Sequence, residues 1–188
     1  MTASLPDFDL NPARPFGAAF LEVGAGRFRE AARVVNALPY GRNSDRADYR
    51  LVLPERRGTY STKHALLAAL AAESGAPVRL ALGIYLMSEA NTPGVGAVLS
   101  ASGLDAIPEA HCYLVHSGSR VDLTWPGRAV VPPPVVREET IRPDQIGAYK
   151  LGWHREYVSA WASERGVDAS RVWSVREECI AALGSSAV

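Results

Sequence analysis

Residues 58–87 read GTYSTKHALLAALAAESGAPVRLALGIYLM, and the parsing of this stretch decides the fold. From 60 to 74 Ala, Leu, Lys and Glu dominate, and neither Gly nor Pro interrupts the run, which predicts a helix. Thr59 or Ser61 is placed to cap its start, and Gly75 to follow its end. The next segment, 77–87, is almost wholly apolar with β-branched and aromatic residues, as a buried strand would be.

Upstream, 26–38 (GRFREAARVVNAL) sets Phe28, Ala31, Ala32, Val35 and Leu38 at helical spacing and stops at Pro39, with Gly41 and Asn43 giving a turn. Residues 1–25 hold Pro6, Pro12 and Pro15 without a period and read as an irregular arm. Residues 44–57 read as a loop with one extended piece at Leu51–Leu53. Downstream, 88–108 is a long Gly- and Pro-containing loop, and 109–124 (EAHCYLVHSGSRVDLT) is a hairpin turning at Ser117–Ser119. Pro126 and Pro132–Pro134 impose extended backbone, and 135–141 suits a short strand. A helix over 143–165 carries the stripe Ile146, Tyr149, Trp153, Tyr157 and Trp161. A last helix, capped by Asp168 or Ser170, carries Val172, Val175, Cys179 and Leu183. With no repeat and no linker, the expectation is a single α+β domain over 1–188, a core at 26–141 followed by a C-terminal helical extension at 143–184.

The 20 basic and 20 acidic residues cancel, and a pI near 6.9 argues against a nucleic-acid partner. Two cysteines, Cys112 and Cys179, are too few for a disulfide scaffold or a four-Cys zinc site. The opening MTASLPDFDLNP lacks the basic and apolar regions of a secretory signal, and no run approaches the ~18–20 apolar residues of a membrane helix. The expected location is therefore the cytoplasm, with no membrane partner. Eighteen of the 20 basic residues are Arg, a bias that suggests a GC-rich bacterial gene.

The order of features across 58–124 resembles the transglutaminase-like superfamily of papain-related enzymes. That family has G-x-C at a helix start, G-I-P-A-R beyond the helix, and a strand with a glycine. A histidine and an aspartate on adjacent strands complete a Cys-His-Asp triad. Here Gly58-Thr59-Tyr60 opens the helix, Gly75-Ala76-Pro77-Val78-Arg79 follows it, and Gly83 lies four residues after Arg79. His111 and Asp122 stand on the two hairpin strands, and Asp122-Leu123-Thr124 is similar to the family's D-x-T. The resemblance covers residues 58–124 and implies a central helix packed on a small antiparallel sheet. The C-terminal helices lie outside it and are expected to cover the sheet or to join two copies as a homodimer.

The position that the family gives to the nucleophilic cysteine holds Tyr60. A thiolate there would be activated by the helix dipole and a neighbouring imidazolium. An ordinary phenol titrates near ~10 and its oxygen reaches further from the backbone, so attack on an acyl carbon by the family route is not expected. Cys112 follows His111 directly and so faces the other side of a strand, and Cys179 belongs to the core stripe of its helix. Three readings of Tyr60 stay open: a plug in a dead site, a general acid or hydrogen-bond donor in a repurposed one, or part of a pocket that binds a small molecule without turnover. The repurposed site, with Tyr60, His111 and Asp122 in acid/base roles on a small molecule and no cofactor, is the expectation carried forward. Ser61, His64, Glu89, Asn91 and Glu109 are the candidate substrate contacts. No paired histidine spacing suggests a metal.

Overall fold

The computed structural model describes residues 2–125 and 133–185, so the expectation for Pro126 and Pro132 lies outside the described residues. In chain order the helices are α1 (Pro15–Glu22), α2 (Phe28–Ala37), α3 (Tyr60–Glu73), α4 (Gly96–Ala101), α5 (Ala148–Glu164) and α6 (Ala169–Ser185). The strands are β1 (Arg79–Met87), β2 (Ile107–His116), β3 (Ser119–Val121) and β4 (Arg137–Ile141), with 3₁₀ turns at Tyr49–Val52 and Pro143–Gln145. The strands form one antiparallel sheet in the order β3-β2-β1-β4, so the described residues make a mixed α+β fold.

The helix and strand of the 58–87 stretch are present as read. At the start of α3 the Thr59 amide donates to Thr62 Oγ1 at 3.0 Å, and the Thr59 hydroxyl accepts from the Thr62 amide. This reciprocal pair satisfies donors that a helix start otherwise leaves open. Residues 61–71 are all buried, the mark of a helix enclosed on every side. Gly58, just before it, is closely surrounded: a Cβ there would lie 3.0 Å from Lys63 Cγ and Thr62 Oγ1, so these side chains would have to shift by a few tenths of an ångström. The hairpin turns on Ser117 and Gly118, both with positive φ, a pairing that matches the twist of the flanking strands. It sets Leu114 opposite Val121 and His116 opposite Ser119.

Two helices lie where none is expected from sequence. In place of an irregular arm, α1 begins at Pro15, and its Phe16 and Gly17 amides donate to the Glu73 carboxylate at 3.1 and 2.5 Å. Its cap comes from 57 residues away, which no local pattern reveals. In the 88–108 loop, Glu89 accepts from the Gly94 and Gly96 amides at the start of α4. The C-terminal region starts with a 3₁₀ turn rather than directly as a helix, and Asp168 is the cap of α6, accepting from Arg171. The expected strand at 135–141 is β4.

The described residues form two compact units that interleave in sequence. Among the described residues the first consists of 2–82, 111–125 and 139–148; the second of 83–110, 133–138 and 149–185. In the first, α3 packs on α1, α2 and both 3₁₀ turns. The second has its own core, in which Tyr85, Met87 and Ile107 meet Val95 and Leu99 of the α4 region and Val158, Trp161, Val172, Val175 and Cys179.

The second unit also buries a charge pair. Arg176 of α6 makes a two-pronged contact with Glu109 of β2, at 2.7 and 2.8 Å, with the two side chains 11% and 2% exposed. Burial raises the Glu109 pKa, but the Arg176 charge and hydrogen bonds outweigh it and hold the value down at about 2. Removing one partner of such a pair strands the other charge without water. Glu109→Ala is expected to lower the unfolding free energy by about 3–5 kcal/mol. Adding Arg176→Met is expected to restore much of the loss, as read by urea denaturation.

Candidate functional site

Three residues singled out in the sequence meet in the first unit. Tyr60 is the first residue of α3, His111 lies on β2, and Asp122 directly follows β3. His111 Nε2 lies 2.8 Å from Asp122 Oδ2. The Tyr60 and His111 rings pack with centroids 4.6 Å apart at 39°. His111 keeps 13% of its side chain exposed, against 3% for Asp122.

The D-x-T segment explains how a carboxylate survives here. Asp122 Oδ1 accepts from the Thr124 amide at 2.9 Å and from the Thr124 hydroxyl. Burial pushes the Asp122 carboxyl up, but the His111 imidazole and the hydrogen bonds outweigh it and hold the group well below the ordinary carboxylate range. An ionised carboxylate only accepts, so His111 Nε2 carries the proton between them. When the ring is neutral, Nδ1 is then the nitrogen without a proton.

His64 lies behind this pair with no exposed surface. Its Nδ1 is 2.6 Å from the Tyr60 carbonyl, which can only accept, and its Nε2 is 2.8 Å from the Leu123 amide, which can only donate. The ring is therefore the neutral Nδ1–H tautomer. The 3.5 Å approach of Nε2 to Asp122 Oδ1 is accordingly not an ion pair. Burial pushes the His64 imidazole down to about 4, the Asp122 charge opposing only in part. His64 thus supports the site from the interior and is not a substrate contact in this conformation.

The other candidate contacts have local roles. Ser61 is buried within α3. Glu89 caps α4, and Asn91 accepts from the Ser88 amide while donating to the Leu86 carbonyl. Glu109 pairs with Arg176 as described. Cys112 and Cys179 are both fully buried. Among the described residues no cluster of three or more His, Cys, Asp or Glu could hold a metal ion, and no helix is long and apolar enough to cross a membrane.

Sequence reasoning missed Lys63 and Asn36. Lys63 is fully buried and donates to the Leu38 carbonyl at 2.6 Å and the Thr124 carbonyl at 3.0 Å. Burial lowers its pKa to about 8. A signal was present: Lys63 is one of two lysines in the chain, and the single charge on α3 before Glu73. Asn36 of α2 donates to the Leu123 and Trp125 carbonyls.

No family model matches the chain, and no curated protein or solved structure does so.

The titration of His64 gives a stability signature. From pH 6.5 down to about 4 the unfolded chain takes a proton at His64 that the folded chain excludes. Stability therefore falls with acidification, by up to about 1.4 kcal/mol per pH unit, and the His64 share is exhausted below that window. His154, whose pKa is also lowered by burial, acts in the same direction. Unfolding curves at a series of pH values are expected to show this slope in the native chain and a shallower one in His64→Phe.

Proposed function

We propose that the chain is a transglutaminase-like protein turned to acid/base chemistry on a small molecule, with Tyr60, His111 and Asp122 as the working residues and no thioester intermediate. The observation that carries this reading is the hydrogen bond between His111 and a buried, ionised Asp122, beside a tyrosine at the first position of α3. The order of these elements along the chain agrees with the family pattern, down to the Asp122–Thr124 turn.

In this reading His111 Nδ1 takes a proton from the substrate. The resulting imidazolium is stabilised through Nε2–H by the Asp122 carboxylate, and a positioned base of this kind contributes about 10²- to 10⁴-fold in rate. The Tyr60 hydroxyl returns a proton or a hydrogen bond to the oxygen on which charge develops. One proton is removed and one is delivered, which suits an isomerisation or elimination on a molecule with an acidic hydrogen near a carbonyl or hydroxyl oxygen. The helix N-terminus adds a partial positive charge on the side where an anionic intermediate would lie.

A second reading, a binding module without turnover, has one observation of its own. Tyr60 meets His111 through the ring at 4.6 Å, an aromatic packing that also suits a plug.

Native mass spectrometry of the purified chain, followed by screening compounds related to any bound ligand, separates the two. Once a substrate is found, His111→Gln and Tyr60→Phe are each expected to lower kcat by about 10²-fold or more with the fold intact by circular dichroism. Wild-type turnover in both variants overturns the acid/base assignment. A ligand bound equally by both variants and never converted favours the module. The family reading has a separate test. Tyr60→Cys is expected to give a thiol that iodoacetamide modifies faster than a free cysteine, because His111 and the helix end favour its thiolate. An inert thiol counts against the resemblance.

A further inference from the structure

The segment that follows Asp122 leaves the sheet, yet its backbone is not left to water. The Leu123 amide donates to His64 Nε2 at 2.8 Å, and the Leu123 carbonyl accepts from Asn36 at 3.2 Å. The Thr124 amide donates to Asp122 itself, and the Thr124 carbonyl accepts from Lys63 at 3.0 Å. The Trp125 carbonyl accepts from Asn36 at 2.9 Å. Side chains of α2 and α3 thus replace the ladder that a neighbouring strand would supply. Leu123 and His64 are fully buried, and Asn36 and Thr124 are 3% and 2% exposed, so each of these groups would otherwise be a costly orphan.

Within this set His64 is distinguished by the two things it joins. Asn36 and Lys63 tie the segment to α2, α3 and the Leu38 carbonyl. His64 alone among these bonds connects it to the Tyr60 carbonyl, the residue whose ring packs on His111. One rigid imidazole therefore spans from the first turn of α3 to the amide next to Asp122.

We propose that His64 is the positioning residue of the site: held as the Nδ1–H tautomer, it fixes the start of α3 against the Asp122 turn and so sets the carboxylate where it orients His111. This deepens the functional reading above and rests on it for its meaning in catalysis. His64 touches no substrate. Its hold depends on its remaining neutral, because a proton on Nε2 would remove the acceptor that Leu123 needs and present a donor to Asp122. The titratable groups around it are Asp122, 3.5 Å from Nε2, His111, whose ring centroid is 6.5 Å away, and the adjacent Lys63. The tautomer follows from the hydrogen-bond partners alone, and the lowered pKa agrees with it.

The test is nuclear magnetic resonance of the ¹⁵N-labelled imidazoles, which needs no substrate. Its failure is therefore separate from failure of the functional reading, which the kinetics of His111→Gln and Tyr60→Phe decide. In the native chain at pH 7 the expected His64 pattern is a protonated Nδ1 and a bare Nε2; a protonated Nε2 overturns the proposal. The second readout is the exchange with water of the His111 Nε2–H proton, which reports how well Asp122 is held. His64→Gln keeps an oxygen near the Nε2 position for the Leu123 amide, whereas His64→Asn is too short to reach it. The proton is expected to exchange about tenfold faster in the Asn variant than in the Gln variant, the loss that one missing hydrogen bond gives. His64→Phe, which keeps the ring without nitrogens, is expected to match the Asn variant. Equal exchange in the native, Gln and Asn chains overturns the proposal, and the Gln–Asn comparison stands even where the Phe chain does not fold.

Discussion

The Asp122 carboxylate is taken almost entirely out of water and kept ionised, and the architecture of the first unit follows from meeting that requirement. Desolvating a carboxylate costs several kcal/mol unless charge and hydrogen bonds replace the water. His111 supplies one oxygen with a donor, and Thr124 supplies the other with two. To bring its amide and hydroxyl back onto Asp122, the chain must turn immediately after β3. That turn removes Leu123 and Thr124 from the sheet, and their backbone groups become the next debt. Asn36, Lys63 and His64 meet it from α2 and α3, which is why a helix as apolar as α3 holds a buried lysine and a buried histidine side by side.

The two buried carboxylates make an instructive contrast. Glu109 is paired with a guanidinium, which stays charged at any working pH and fits the carboxylate with two parallel bonds. Nothing in that pair can give or take a proton near neutrality, and its effect is on stability. Asp122 is paired with an imidazole, whose proton can move. The same cost of burial is thus met in one unit by a guanidinium and in the other by an imidazole and two Thr124 hydrogen bonds. The exposed pairs, such as Arg27 with Asp7 or Arg137 with Glu156, are solvated and contribute little.

The opposite tautomers of His64 and His111 are a consequence of this arrangement. Each ring has its protons assigned by what faces it. A carboxylate fixes Nε2–H on His111, and a carbonyl together with an amide fixes Nδ1–H on His64. Two histidines with ring centroids 6.5 Å apart are therefore held differently, His111 through Nε2 by a carboxylate and His64 through both nitrogens by backbone.

Much of the local structure could be read directly from residues. The helix at 60–73 follows from an uninterrupted run of good helix formers behind a Thr cap, the hairpin from a Ser-Gly turn between apolar strands, and the last helix from Asp168. Such features depend on neighbours a few positions apart, so the sequence contains their causes. Tyr60, His111 and Asp122 could be singled out because their order and spacing carry a pattern. The helix α1 could not be seen, since its cap is Glu73, and neither could the roles of Lys63 and Asn36, whose partners are backbone groups of a turn far along the chain. His64 was visible as a histidine one helical turn from Tyr60, but only its complete burial and its two backbone partners turn it from a candidate ligand contact into a support. The amino-acid sequence by itself determined most of the helices and strands, α1 and α4 excepted, and which side chains could do chemistry. The tertiary structure decided which of those groups lose their water, and with it their charge, their tautomer and their task.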